Sequence, residues 1–237
     1  DVYFGGEDRM IRVDMSEYQD KSGIYRLIGE QGRQGTGILT EAVRQRPFSL
    51  ILLDELEKAD KNVLNIFLQV FDDGRLTDSV GRVIDFTNTI IIATSNAATT
   101  YVQEKITAGV ALETIRQDLI RTELQAYYRP EFLNRFDGIV LFKTLSKAEI
   151  KMVAANMLKR VARDLEKRGV FLRVEDSALD ALVDIGFDPV FGARPMRRAI
   201  QDNVENKLAE LVLSKNLERR DTIVVGEKLL IRVEKGN

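Results

Sequence analysis

Leu50-Ile51-Leu52-Leu53-Asp54-Glu55 is the stretch that decides the fold of this chain. Four consecutive apolar residues read as a buried strand, the kind found inside a parallel sheet. That strand delivers two adjacent carboxylates at its end, and buried strands seldom stop on a bare acidic pair without a use for it. In nucleotide-hydrolysing proteins such a pair has separate jobs: the aspartate holds Mg2+ directly or through water, and the glutamate polarises the attacking water. Taken alone, Asp54-Glu55 could also be a strand-end pair that caps the next helix.

A second strand weighs against that plainer reading. Thr89-Ile90-Ile91-Ile92-Ala93-Thr94-Ser95-Asn96 repeats the design, an apolar run ending in a polar residue able to orient a water or touch a γ-phosphate. Asn96 by itself would be an ordinary turn residue, but two such strand ends are far more specific than one, and the first has the Walker B pattern. No Gly-x-x-x-x-Gly-Lys-Ser/Thr occurs in the sequence, so nothing in it can cradle the β and γ phosphates. The chain opens at Asp1 without a methionine, and Val2-Tyr3-Phe4-Gly5-Gly6 reads as the tail of an element already under way. The expectation is a fragment of a longer protein.

Composition narrows the chemistry. The 237 residues suffice for one large or two modest domains, and 44% hydrophobic with 30% charged residues is an ordinary soluble globular balance. With 35 basic and 37 acidic residues the net charge is −2, which offers no bulk electrostatic reason to bind nucleic acid or an anionic membrane. Neither partner is expected. Cysteine and histidine are both absent, which removes disulfides, thiolate and imidazole catalysis and most transition-metal sites. No apolar run approaches the roughly 18 residues of a membrane span, and no signal peptide opens the chain, so cytoplasmic residence is the default expectation.

Up to about Phe142, short β-branched strands alternate with helical stretches, the signature of a parallel sheet flanked by helices. Met10 to Val13, Leu50 to Leu53, Thr89 to Thr94 and Ile139 to Phe142 are the predicted strands. Val63, Leu64, Phe67, Leu68 and Phe71 recur at helical spacing, Asp72-Asp73-Gly74 stops that helix, and Arg75 to Asn88 predicts a hairpin turning at Asp78-Ser79-Val80-Gly81. Beyond Lys143-Thr144-Leu145 the grammar changes. Ser146 and Glu149 form a capping box for a helix ended by Gly169, Phe171 to Val174 is a strand, and Ser177 to Ile185 is a helix. Arg194 to Leu213 is a long amphipathic helix, and strands at Thr222 to Val225 and Leu229 to Val233 close the chain. The fold class is therefore α/β over residues 1–142, with a smaller mixed α+β domain over 143–237.

Six stretches, in order, resemble a known family. They are Ile11 to Tyr18 (IRVDMSEY), Leu39 to Arg44 (LTEAVR), Leu53 to Ala59 (LDELEKA), Asp72 to Asp78 (DDGRLTD), Arg129 to Arg135 (RPEFLNR) and Gly192-Ala193-Arg194-Pro195. Together they span nearly the whole chain and resemble the AAA+ modules of the Clp chaperone ATPases of the ClpB, ClpC and ClpA type, in particular the second, C-terminal module without its Walker A segment. The resemblance implies ATP and Mg2+ as cofactors, with Asp54 coordinating the metal, Glu55 activating the water and Asn96 as sensor 1. It makes Arg135 an arginine finger that reaches the neighbouring subunit's ATP, a role worth ~10³–10⁵ in rate in other NTPases. Arg194 matches sensor 2, contacting phosphates from the small domain. Without the motif, Arg129 and Arg135 would read as surface salt-bridge partners, whereas a cation opening a helix, as Arg194 does, is unfavourable on dipole grounds and fits a phosphate partner. The family implies a self-associated, hexameric ring that threads unfolded or aggregated protein substrates.

The chain departs from the family in several places. The substrate-gripping loop normally carries Gly-Tyr-Val-Gly after Leu-Ile-Gly, whereas Glu30 to Gly37 is shorter and lacks an aromatic. Tyr25 could substitute, although it is expected to pack at a helix end. Gln103 to Leu124 offers no Ile-Gly-Phe tripeptide, so docking to a protease ring is not supported. Asp60 replaces a usual histidine at a helix start, where an acid is favourable. The family's Walker A strand lies between the sensor 1 strand and the one at Ile139 to Phe142, so its absence should leave strands unpartnered, apolar faces uncovered and the chain by itself inactive. The leading reading is part of an ATP-dependent protein unfoldase or disaggregase; the alternatives are a catalytically inactive ring scaffold and an AAA+ nucleic-acid motor or loader.

Overall fold

Three parallel strands carry the acidic pair. The computed structural model describes residues 9–33, 35–188, 192–214 and 217–236, which leaves the opening segment 2–6 and Gln34 of the glycine-rich loop outside the described residues. Contacts divide the chain into two compact units, Asp1–Leu141 and Phe142–Asn237.

In the first unit the order is β1 (Ile11–Asp14), α1 (Gly23–Ile28), α2 (Ile38–Gln45), β2 (Ser49–Asp54), α3 (Lys61–Asp73), β3 (Arg75–Thr77), β4 (Val83–Asp85), β5 (Thr89–Ala93), α4 (Thr99–Thr107), α5 (Leu112–Arg121) and α6 (Pro130–Leu133). The sheet runs β1-β2-β5, all parallel, with Asp14 beside Asp54 and Leu53 beside Ala93. Because side chains alternate across a strand, Ile11, Val13, Ile51 and Leu53 share one buried face and join Leu39, Val43, Val63 and Phe67 in a single core. The other face is barer: Leu50 and Leu52 are half-buried, and Ile90 and Ile92 are 49% and 46% exposed.

Helix α3 is built as its sequence predicts. The Asp60 carboxylate accepts the Asn62 amide at 2.8 Å to cap its start, and Gly74, at φ 62°, supplies the left-handed turn that ends it. The hairpin that follows is held by Asp78, which accepts the Val80 and Arg82 amides at 3.1 and 2.8 Å and the Arg82 Nε at 2.6 Å. Arg82 is thereby tied to this turn through its Nε and its backbone amide.

Ile139 to Phe142 is not a strand. A strand needs a neighbour to satisfy its amides and carbonyls, and none pairs with this segment among the described residues. Ile139 and Leu141 lean on the core, but Val140 and Phe142 are 77% and 86% exposed. Tyr25 is a second correction: it is 56% exposed rather than packed at the end of α1, since Leu27 fills the interior position of that short helix.

The second unit starts with α7 (Lys147–Glu166), whose capping box is fully made: Ser146 Oγ accepts the Glu149 amide, and Glu149 accepts the Ser146 amide at 2.8 Å. Next come β6 (Phe171–Val174), α8 (Asp176–Gly186), α9 (Arg194–Ile200), α10 (Asn206–Leu213), β7 (Thr222–Val225) and β8 (Ile231–Glu234). The predicted long helix from Arg194 to Leu213 is interrupted by a π-helical turn at Gln201–Glu205. Such a turn displaces the usual hydrogen bonds, and the Asn203 side-chain amide donates to the Ala199 carbonyl at 2.9 Å. The strands form a sheet β6-β7-β8, parallel then antiparallel, over a core of Ile150, Leu158, Leu182, Met196, Ile200 and Ile223.

Candidate functional site

The ends of β2 and β5 are stitched together by one residue. Thr94 follows β5; its amide donates to the Leu53 carbonyl at 2.9 Å, and its own carbonyl accepts the Leu56 amide at 2.9 Å. Its hydroxyl donates to Asp54 Oδ1 at 2.5 Å and accepts the Glu55 amide at 3.2 Å. Arg12, one strand over on β1, donates through Nη2 to Asp54 Oδ2. The Thr94 hydroxyl first and the Arg12 guanidinium second hold the Asp54 carboxyl below its ordinary range, against a smaller opposing push from burial. Asp54 is therefore an anion at neutral pH, fixed in orientation yet 24% exposed at its side chain.

Glu55 sits at φ 55° and ψ 51°, the left-handed region. A residue with a Cβ pays roughly 1–2 kcal/mol there, and such strain persists only where the surroundings over-determine it. Here the Thr94 hydroxyl grips the Glu55 amide while Leu56, 3% exposed, anchors the short turn Leu56–Lys58 in the core. The backbone thus turns sharply at the end of β2, which breaks the strand's alternation at Glu55.

Asn96 is exposed in the turn after β5, two residues beyond the one that holds Asp54. Its carbonyl accepts the Thr99 amide at 3.3 Å and hydroxyl at 2.6 Å, while its side-chain amide has no protein partner among the described residues. Asp54, Glu55 and Asn96 are thus gathered at adjacent strand ends. Arg135 is not with them. It follows α6, and its Nε pairs at 2.5 Å with Asp72, near the end of α3. Twelve residues separate Asp60 from Asp72 along α3, about 18 Å at 1.5 Å per residue, so Arg135 lies at the opposite end of that helix from the acidic pair. Arg194 belongs to the second unit, where it is exposed at the start of α9 and has no partner among the described residues.

Thr94 and Arg12 were missed as site residues in the sequence. Thr94 had a usable signal, a hydroxyl immediately after an apolar strand and two residues before Asn96; Arg12 had none beyond its place on a neighbouring strand. Tyr128, whose hydroxyl lies 2.9 Å from Ser95 Oγ, gave no signal at all.

Comparison with known proteins places this architecture. Residues 1–139 match the family described as AAA domain (Cdc48 subfamily), and residues 145–225 match the C-terminal, D2-small domain, of ClpB protein. The chain belongs to the Clp chaperone ATPase family. Chaperone protein ClpB of Vibrio cholerae is 45% identical over 238 residues, covering 99% of this chain and 27% of that protein. Chaperone protein ClpC2, chloroplastic, of Arabidopsis thaliana is 43% identical over 236 residues, covering 94% of this chain and 25% of the relative. This Clp chain therefore spans about a quarter of the length of the curated relatives it matches. A closed-state cryoEM reconstruction of Hsp104 with ATPγS and FITC casein superposes with a TM-score of 0.82 at 34% identity, covering 98% of this chain and 40% of the other.

Proposed function

We propose that this chain is part of an ATPase module that remodels or threads protein substrates from within an oligomeric ring, a hexamer of cytoplasmic protein. Residues 1–142 form its large subdomain and 143–237 its small one. The observation that carries the reading is the Thr94 clamp, which holds an ionised Asp54 and a strained Glu55 next to an Asn96 side-chain amide that has no partner among the described residues. The casein and ATPγS bound to the Hsp104 relative support the substrate classes.

Asp54 fits a magnesium ion as a single carboxylate ligand. Among the described residues no group of three acidic or histidine side chains could hold one, so the remaining positions would fall to phosphate oxygens and water, as is usual for this ion at nucleotides. When bound there, the ion neutralises charge on the β and γ phosphates. The rest is done by protein side chains. Glu55 orients and deprotonates the attacking water, Asn96 donates to that water or to a γ-phosphate oxygen, and Arg135 stabilises charge on the transferring group in the neighbouring subunit. Arg194 contacts the phosphates from the small subdomain. No residue of this chain fits the phosphate-cradling loop, so the chain by itself neither binds ATP tightly nor hydrolyses it.

Substrate contact falls to the glycine-rich loop and its flanks. Tyr25 and Ile38 are 56% and 51% exposed and line one groove with Arg26, Gln31 and Thr36 beside that loop. They present apolar surface beside that loop.

The decisive measurement is ATP hydrolysis by the chain extended upstream to include a Gly-x-x-x-x-Gly-Lys-Ser/Thr loop. Activity should appear, rise with protein concentration and vanish in Glu55→Gln. Mixing Glu55→Gln with Arg135→Ala subunits should restore part of it, because some interfaces then carry both intact groups. A folded, assembled extension that hydrolyses nothing would leave the ring-scaffold reading in its place.

A further inference from the structure

The turn that presents Asn96 is held from a second side. Ser95 Oγ accepts the Ala97 amide at 3.1 Å and lies 2.9 Å from the Tyr128 hydroxyl, so one small side chain shapes the peptide on both sides of Asn96. Tyr128 is 5% exposed. Burial pushes its phenol up to about 12, with the Glu57 carboxylate adding to the push and the Ser95 hydrogen bond opposing it. The phenol is therefore neutral at any working pH, which leaves it a hydrogen-bonding role rather than that of a base. Glu57 itself, two residues beyond Glu55, keeps Oε2 buried without a hydrogen-bond partner among the described residues. A buried, unpaired carboxylate oxygen is costly to keep.

The ring of Tyr128 leads elsewhere. It stacks on Phe132 with centroids 5.9 Å apart and planes 19° from parallel. Phe132 meets Phe136 edge-on at 5.4 Å and Phe71 at 5.6 Å, and Phe71 meets Phe136 at 5.5 Å. Arg135 is the residue before Phe136, and its partner Asp72 is the residue after Phe71. Both halves of that ion pair are thus mounted on the aromatic cluster whose other end touches Ser95. Packed cores of this kind transmit displacement because they have no slack to absorb it.

We propose that Tyr128 is a positioning residue that joins the two ends of the hydrolytic machinery: its hydroxyl sets the turn that carries Asn96, and its ring ties that turn through Phe132 and Phe136 to Arg135. The inference rests on the reading of Asp54, Glu55, Asn96 and Arg135 given above. It makes the group acting within a subunit and the group acting on its neighbour parts of one mechanical unit. Tyr128→Phe removes the first link while leaving the ring and its packing in place.

The test is a double-mutant cycle on ATP hydrolysis in a protein that carries this chain with a complete phosphate-binding loop, using Tyr128→Phe, Ser95→Ala and the double variant, with Glu55→Gln as control. Losing one neutral hydrogen bond should lower kcat about threefold to tenfold, with KM for ATP changed less than about twofold. The double variant should be no slower than Ser95→Ala alone, because the two substitutions break the same bond. A merely structural role for Tyr128 would lower the melting temperature without producing this pattern. The proposal is overturned if Tyr128→Phe turns over at the wild-type rate, or if the two effects multiply in the double variant. Activity surviving in Glu55→Gln would instead refute the site assignment itself, so the two failures are distinguishable.

Discussion

Thr94→Val removes the residue that stitches the site together while preserving its shape. The hydroxyl donates to the ionised Asp54 carboxylate at 2.5 Å and accepts the Glu55 amide at 3.2 Å, so both bonds are lost at once. A hydrogen bond to a charged group is worth about 1.5–3 kcal/mol and a neutral one about 0.5–1.5. With the Asp54 side chain 24% exposed, water replaces part of the first, and the longer second bond sits at the bottom of its range. The sum is about 2 kcal/mol of ordering applied to the acidic pair. If the transition state feels all of it, kcat falls about 30-fold; if it feels half, about fivefold. The assay is steady-state phosphate release across a magnesium titration, in a protein with a complete phosphate-binding loop. Thr94→Val should turn over about 5- to 30-fold more slowly and require more magnesium, whereas Thr94→Ser, which keeps the hydroxyl, should stay within about threefold of wild type. Wild-type turnover in Thr94→Val would refute the clamp, and equal impairment in Thr94→Ser would show that the methyl group matters instead.

Two further outcomes concern the second unit. Asp221 accepts the Glu218 and Gly236 amides at 2.9 and 3.0 Å and the Lys235 ammonium at 3.0 Å, and chiefly the two amides hold its carboxyl at about 2, against 3.8 ordinarily. The folded state therefore binds this proton less readily than the unfolded chain. Its stabilisation is complete above pH 3.8 and is lost as pH falls from there through about 2, so the melting-temperature gap between wild type and Asp221→Asn should narrow across that window. Gly186→Ala should destabilise the unit by about 1–3 kcal/mol in urea denaturation, because the new Cβ would sit 2.9 Å from the Met196 Cα, a backbone atom that cannot swing aside.

Much of the architecture could be read without coordinates. The runs Leu50 to Leu53 and Thr89 to Ala93, the capped helix after Asp60, the hairpin turn at Asp78 and the capping box at Ser146 all depend on short-range periodicity and local hydrogen bonding, which a linear sequence displays directly. That Asp54, Glu55 and Asn96 fall at adjacent strand ends could be read for the same reason: the point where an apolar run stops is visible in the sequence. The failures share a cause as well. Ile139 to Phe142 has the composition of a strand, but a strand exists only when another lies beside it, and pairing is a property of the assembled sheet. Tyr25 is aromatic, yet whether it packs or faces solvent depends on which neighbour takes the interior position, and Leu27 does.

What only the tertiary structure decided is how the site is held. Thr94 is 40 residues from Asp54, and Tyr128 is 33 residues from Ser95. No periodicity connects such pairs; they meet because the C-terminal ends of parallel strands and the segment before α6 converge. The same holds for Arg135, whose motif names it but whose pairing with Asp72 and distance from the acidic pair follow from the length of α3. Sequence determined which groups could do the chemistry, since residue type and strand-end position are local. Folding decided which hydroxyls orient them and which of them act apart, since those depend on contacts between segments remote along the chain.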